Sequence, residues 1–455
     1  MLYSDVQRIY KSKTHKSKML YRRAMKVFAG GVNHNIRFFE PYPFFASSAK
    51  GKYLYDVDGN KYTDYWMGHW ALILGHSPKP VVEALSHQRK NGTLYGTANQ
   101  VSIELAELIK KLMPRAELMR FCSTGAEATM YAVRLARAKT GRRVIAKVIG
   151  GWHGFNTTLM QTVNHPFEDQ EGPGIIEDDG RFVESLPFND LDRSLKVLES
   201  IKDDLACIII EPILCSAGCI LPIDGYLQGL QHFAQKNGSL FILDEIVTGF
   251  RVSINGAASL YRLEPDLFTI GKIVGGGLPI GAVCGRKEVM SLADPVLMRE
   301  KQLRCAIGGG TFSANPLSMT AGLATLTYLK DNKIKLYGKL DRLGYLARNG
   351  LTKLFSEAKI HADITGTGSL YLVHFLEDTS KKITNATDVA MSNKDRLTKY
   401  HTALMANYGI FFLPLKMGTF SESHTESDVK KLLSVTRSII SSGVISRNED
   451  QHHAS

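Results

Sequence analysis

No apolar run in this chain approaches the roughly 20 residues that a helix needs to cross a bilayer, and its lysine-rich start is not followed by the apolar segment of a secretory leader. A membrane protein and a secreted one are therefore not expected, and the expected compartment is the cytoplasm. Cysteine is sparse, with six in 455 residues, and Cys122, Cys207, Cys215, Cys219, Cys284 and Cys305 show neither zinc-ribbon pairing nor a disulfide framework. Most sit inside apolar stretches and read as reduced core residues. Cys215 and Cys219 come nearest to a metal spacing but have no second ligand pair, so no metal site is expected. Internal repeats, low-complexity blocks and long linkers are also missing, which leaves any domain boundary soft.

What is present is ordinary for a folded protein: 44% hydrophobic and 22% charged residues, with length enough for a large core domain and a smaller one. The net charge of +12 includes a basic run near the start, Lys11, Lys13, Lys16, Lys18, Arg22 and Arg23. Aromatic and basic residues do not interleave as they do in RNA-binding segments, so this run reads as a solvated face and no nucleic-acid partner is expected.

Along the chain, a first helix is expected to end at Gly30-Gly31, followed by a hairpin whose arms Tyr53–Val57 and Lys61–Tyr65 flank the turn residues Asp58-Gly59. Leu105, Leu108 and Leu112 fall at helical spacing until Pro114. Strands and helices then alternate: a helix over 126–138, strands over 144–148 and 207–210, a helix over 225–236, and strands over 241–243 and 267–271. Near-continuous apolar strands separated by helices predict a mostly parallel α/β sheet covered on both faces, with ligands bound outside the strands' carboxyl ends. A long helix is expected from Pro316. Thr425-Glu426-Ser427-Asp428 is a capping-box pattern opening a last helix, and the polar Asn448–Ser455 is expected to fray.

Two charged residues stand at the carboxyl ends of these apolar strands, Asp244 after Phe241-Ile242-Leu243 and Lys272 after Leu267–Gly271. Buried charge is costly unless chemistry uses it. An amine and a carboxylate so placed suggest a pyridoxal phosphate site, the amine forming a Schiff base and the carboxylate holding the ring nitrogen protonated. Alone, such an Asp reads as a helix cap and such a Lys as a snorkelling side chain. Gly275-Gly276-Gly277 shifts the balance, because missing side chains permit close approach to a bulky ligand. Ser123-Thr124-Gly125-Ala126 leads from a loop into a helix, where free N–H groups attract phosphate, although small residues there also serve as a plain cap. Trp152 offers a face for stacking on a pyridine ring, with core packing as the plainer reading; for His153 the plainer reading is an ordinary hydrogen-bonded imidazole. Gly308-Gly309-Gly310-Thr311 is a second glycine-rich approach ending in a hydroxyl.

Taken in order and spacing, Gly125-Ala126-Glu127-Ala128-Thr129, Gly151-Trp152-His153-Gly154, Glu211-Pro212, Asp244-Glu245 through Arg251, Gly271-Lys272 through Gly281, and Gly310-Thr311-Phe312-Ser313-Ala314-Asn315-Pro316 resemble the class III pyridoxal-phosphate aminotransferases of fold type I. Gly30-Gly31-Val32-Asn33 with Arg37, Ile73-Leu74-Gly75-His76 and His424-Thr425-Glu426 are similar to the family's aminomutase branch. The resemblance implies a large cofactor domain over 66–335 and a small α+β domain drawn from 1–65 and 336–455. It implies amino-group transfer within or between small amino, keto or aldehyde carboxylic acids. Lys272 and Asp244 would be catalytic. Ser123, Thr124, Gly125, Ala126, Trp152, His153 and Glu211 would contact the cofactor with them, Arg37 would grip a substrate carboxylate, and Thr311 would reach phosphate across a homodimer interface.

Departures from the pattern are specific. The phosphate loop reads Ser-Thr-Gly-Ala where Asn-Ser-Gly-Thr is usual, Ile307 stands near a usual tyrosine, and the aromatic near the substrate pocket falls at His69 or Trp70. Residues 415–420 are shorter than the aminomutase equivalent and lack its acidic residue. The aromatic surroundings of Arg37, from Phe38 to Phe44, also resemble relatives that act on β-amino acids, so an intermolecular aminotransferase of that kind is the second reading.

Overall fold

The computed structural model describes residues 1–167 and 172–446; the expected fraying of Asn448–Ser455 falls outside the described residues. Strands β1 (Ala46–Lys50), β2 (Tyr53–Asp56) and β3 (Lys61–Asp64) form an antiparallel meander. At its second turn Gly59 has a φ of 90°, and the Asp56 carboxylate accepts from the amides of Asp58 and Asn60. The central sheet contains β4 (Leu118–Cys122), β5 (Val144–Val148), β6 (Val183–Leu186), β7 (Leu205–Ile210), β8 (Leu240–Glu245), β9 (Leu267–Gly271) and β10 (Gly281–Gly285), in the spatial order β4-β10-β9-β8-β7-β5-β6. Only β10 runs antiparallel to its neighbours. Then follow β11 (Ala362–Thr365), β12 (Leu370–Phe375), β13 (Ile410–Phe411) and β14 (Gly418–Thr419). β12 pairs with β11 and β14, whereas β13 joins β3 in parallel, so residues from the two ends of the chain share one small sheet.

Every residue of β7, β8, β9 and β10 is buried, as the unbroken apolar runs require when helices cover both faces of a sheet. The Gly125–Thr140 helix packs on β7, β9 and β10. A helix of 42 residues, Pro316–Glu357, lies against the helices Lys79–Gln88, Gln100–Leu112 and Glu426–Ser442. The capping box at Thr425 and Asp428 opens Glu426–Ser442 as its sequence pattern indicates.

One local expectation needs correction. The first helix does not run to Gly30-Gly31 but forms two helices, Tyr3–Lys13 and His15–Ala24. Thr14 leaves the helical region between them, and its hydroxyl donates to the Tyr10 carbonyl at 2.7 Å. Gly31 is required elsewhere, because a β-carbon there would lie 2.6 Å from the Tyr21 ring. Within Gly275-Gly276-Gly277, a β-carbon on Gly276 would lie 2.6 Å from the Ala321 carbonyl oxygen, and one on Gly322 would lie 2.2 Å from that of Val274. Gly276 seats the turn after Lys272 on the long helix, whereas Gly275 lies against Ile280 and Gly277 against Leu72.

Burial also leaves several imidazoles neutral. It pushes His374 down to about 4 and His401 down to about 3, with His401 stacked on Phe412. A depressed histidine contributes stability that is complete above the unfolded value near about 6.5 and is lost as pH falls toward the folded values. The urea midpoint is therefore expected to fall between about pH 7 and pH 4, with a shallower fall in His401→Phe; an equal slope in that variant would contradict the assignment.

Candidate active site

Parallel register between β8 and β9 sets Asp244 beside Thr269. Asp244 Oδ1 accepts from the Thr269 hydroxyl at 2.9 Å and from the Ile246 amide at 3.1 Å, while Oδ2 pairs with His153 Nδ1 at 2.8 Å. A carboxylate has about four acceptor positions, so these three bonds leave capacity for one more donor. His153 is fully buried, and burial holds it below its ordinary value; the neutral ring donates Nδ1–H to Asp244 and leaves Nε2 without a partner among the described residues.

The loop carrying His153 is fastened to the start of the Gly125–Thr140 helix. The Thr129 hydroxyl donates to the His153 carbonyl at 2.5 Å. Gly154 has a φ of 91°, and a β-carbon there would lie 2.5 Å from the Ala126 Cα. The next contact reaches Glu211, whose Oε1 accepts from the Trp152 amide at 3.0 Å and whose Oε2 accepts from the Cys215 amide at 3.2 Å. Burial, then the negative charge of Asp244, pushes the Glu211 carboxyl up to about 8. Glu211 is accordingly protonated near neutral pH and has a proton to donate.

Lys272 follows β9 in a left-handed backbone conformation, φ 47°, which is uncommon for a side-chain-bearing residue and is stored where a site over-determines it. Burial lowers its amine from the ordinary lysine range, opposed by the charge of Asp244 and by that of Glu211 once Glu211 ionises, so the three groups lie within electrostatic reach of one another. The amine stands 5.9 Å from the centre of the Trp70 ring. It makes no ion pair among the described residues.

At the helix start the Thr124 hydroxyl caps the Glu127 amide at 3.1 Å, and the Glu127 carboxylate accepts from the Ser123 amide at 2.9 Å. The Ser123 hydroxyl and the amides of Gly125 and Ala126 remain without acceptors among the described residues, pointing from the positive end of a helix of 16 residues. β10 passes close beneath, since a β-carbon on Gly281 would lie 2.1 Å from the Thr124 carbonyl oxygen. Thr311 is not joined to this group: it is exposed on a loop, and its neighbour Gly310 lies beside Glu127. Arg37 is also exposed, at the end of the Asn35–Arg37 turn.

The outer wall is a run in which Met67, Gly68, His69 and Trp70 all have φ between 46° and 64°. Left-handed turns cost about 1–2 kcal/mol per side-chain-bearing residue, so this one must be held from outside. The buried Arg251 does so by donating to the carbonyls of Trp70 at 2.5 Å and Phe420 at 3.2 Å, and the Trp70 indole donates to the Met417 carbonyl at 2.8 Å. His69 stacks on Trp66 with 4.6 Å between centroids. Burial, followed by the charge of Lys272, pushes its imidazole down to about 3. Thr269 and Arg251 were not singled out as site residues; a threonine inside Leu267-Phe268-Thr269-Ile270 and an arginine closing Thr248-Gly249-Phe250 were the available signals.

A buried amine, an acid that can still take a donor, a neutral glutamic acid and a helix start with free amides together form a fold and site that other proteins share. The class III aminotransferase family model matches residues 38–414, and the chain belongs to that family of pyridoxal-phosphate enzymes. It is 39% identical over 94% of its length to glutamate-1-semialdehyde 2,1-aminomutase from Methanothermobacter thermautotrophicus, covering 99% of that protein. Among solved structures, a transaminase with pyridoxal phosphate bound matches at 30% identity and TM-score 0.85, covering 95% of this chain and 98% of that one. A β-phenylalanine aminotransferase from Variovorax paradoxus matches at 27% identity and TM-score 0.87, with 97% of each chain covered. The cofactor is pyridoxal phosphate, and the residues fit it: the spare acceptor capacity of Asp244 suits a pyridinium N–H, and the unengaged donors at 123, 125 and 126 suit a phosphate.

Proposed function

We propose that this enzyme moves the amino group of glutamate-1-semialdehyde between adjacent carbons, giving 5-aminolevulinate. The observation that carries the reading is the match of 39% identity along nearly the full length of both this chain and an archaeal aminomutase. Bound pyridoxal phosphate supplies an aldehyde that takes up amines and a ring that absorbs electrons. The chain's own residues divide the remaining work. Lys272 holds the cofactor covalently at rest and afterwards moves protons at the reacting carbon, a task suited by an amine whose basicity burial has lowered. Asp244, held by His153 and Thr269, keeps the ring nitrogen protonated. Trp152 covers the ring, Glu211 offers its proton beside it, and Ser123, Gly125 and Ala126 hold the phosphate, with Thr124 shaping the turn. Arg37 binds the substrate carboxylate as a planar fork.

The same reading makes the enzyme a cytoplasmic homodimer in which Thr311 reaches the phosphate of the partner subunit. Exposure of Thr311, of Phe312 at 61% and of Phe155 at 81% supports a covered surface there. Residues 1–65 and 336–455 are taken as one small domain, supported by the β3–β13 pairing, beside a large domain over 66–335.

An intermolecular aminotransferase for a β-amino acid is the second reading, favoured by the likeness to the β-phenylalanine enzyme. Its sequence basis weakens in three dimensions. Phe39 packs on Tyr10, and Phe44 stacks on Tyr62 at 4.6 Å, so these rings fill the N-terminal layer and do not line a pocket around Arg37. Supplying glutamate-1-semialdehyde with no second amino donor separates the readings. Sustained formation of 5-aminolevulinate is expected; turnover that appears only after a separate amino donor is added would favour the aminotransferase.

A further inference from the structure

Two cations at the mouth of the site have no acidic partner among the described residues. Arg37 closes a short turn whose N-terminal cap is His34, and burial, then the like charge of Lys394, lowers the Lys416 amine from the ordinary lysine range. The backbone fixes where Lys416 stands. Leu415 is left-handed, φ 66°, the Lys416 amide closes a turn onto the Leu413 carbonyl at 3.0 Å, and the next residue, Met417, accepts the Trp70 indole N–H. Trp70 in turn lies 5.9 Å from the Lys272 amine, and His69 beside it faces His34 with 6.1 Å between ring centres. His34, His69 and Trp70 thus form one wall beside Lys272, and the Lys416 turn is tied to it through Met417. Burial and then the surrounding positive charges, Arg37 and Lys416 among them, hold both imidazoles below their ordinary value. The anion-binding capacity of the wall consequently rests on Arg37 and Lys416.

We propose that Lys416 and Arg37 together hold the substrate carboxylate that lies away from the reacting nitrogen, with Lys416 the specificity-determining residue of this pocket. The inference rests on the aminotransferase reading of the site. It extends that reading by assigning residues 415–420, where the aminomutase pattern carries an acid, to carboxylate recognition. Arg37 supplies a flat two-point fork and Lys416 a compact charge on a turn braced by Trp70, so two oxygens of one carboxylate meet donors from opposite segments of the chain. A second charged hydrogen bond to one ligand is commonly worth about tenfold or more in affinity.

The test uses holoenzyme with Lys416→Gln and Lys416→Arg. Expected for Lys416→Gln is a rise of about tenfold in KM for glutamate-1-semialdehyde with kcat changed less than about threefold, and near-complete restoration in Lys416→Arg. Independently of turnover, pentanoate binding followed by displacement of the cofactor's absorbance should weaken about tenfold in Lys416→Gln, while pentanamide binds both proteins equally poorly. Because that arm needs no reaction, it stands even if the substrate proves to be a different carboxylate. Unchanged pentanoate affinity in a folded Lys416→Gln protein, or a loss confined to kcat, would overturn the assignment.

Discussion

Replacing Lys272 by alanine is expected to lower kcat/KM by at least about 10³-fold while leaving the thermal unfolding midpoint close to that of the parent. The size follows from the double duty of the amine. Proton transfer by a positioned group is worth about 10²–10⁴-fold, and loss of the covalent attachment adds to it. Retention of the fold follows from the surroundings. The amine has no ion pair among the described residues, and alanine keeps the left-handed backbone while removing a desolvated amine without orphaning a partner. Lys272→Arg separates charge from chemistry, because a guanidinium keeps the charge but cannot serve as the nucleophile. It should be as inactive as the alanine variant. Activity within about tenfold of the parent in either variant would remove Lys272 from the mechanism.

The second large effect is expected at Asp244. Asp244→Asn keeps the shape and the bonds from Thr269 and Ile246, yet its uncharged amide no longer favours a protonated ring nitrogen, so kcat should fall by about 10²-fold or more. With Oδ1 still accepting from Thr269 and Ile246, the change presents an NH2 group to His153 Nδ1, so the ring must carry its proton on Nε2, which has no partner among the described residues. Since Glu211 is raised partly by the charge of Asp244, its carboxyl should move back toward the ordinary range in this variant. The upper limb of the pH profile, which the parent should show near pH 8 if ionisation of Glu211 is felt in turnover, would shift downward with it. A parent-like kcat and an unmoved profile in Asp244→Asn would show that the carboxylate is not coupled to the chemistry.

Much of the architecture was legible because it depends on local signals. The apolar runs of β7, β8 and β9 announced strands buried on both faces, and Asp244 and Lys272 were conspicuous because charge is costly at such positions. Thr425 and Asp428 marked a helix start through bonds made within one turn. What escaped was set by tertiary contacts. Thr14 breaks a helix through a bond that any helical threonine can make, and the break is favoured by the neighbouring aromatic hydroxyl of Tyr42 at 3.1 Å. The left-handed run from Met67 to Trp70 has one glycine in four residues and depends on Arg251, which is 181 positions away in sequence. A glycine records only that something passes close by, and for Gly276 in Gly275-Gly276-Gly277 that is the long helix. Lys416 carried no local pattern, and its setting beside His69 and His34 emerges only when two distant segments meet.

The central claim is that the amine of Lys272 carries the cofactor, and mapping that attachment tests it most directly. The holoenzyme, reduced with borohydride and digested, should yield one peptide bearing the mass of the reduced pyridoxyl phosphate, with the modified residue at position 272 and the visible absorbance lost in step. The modification found on another lysine, or a purified protein that takes up no pyridoxal phosphate at all, would contradict the account.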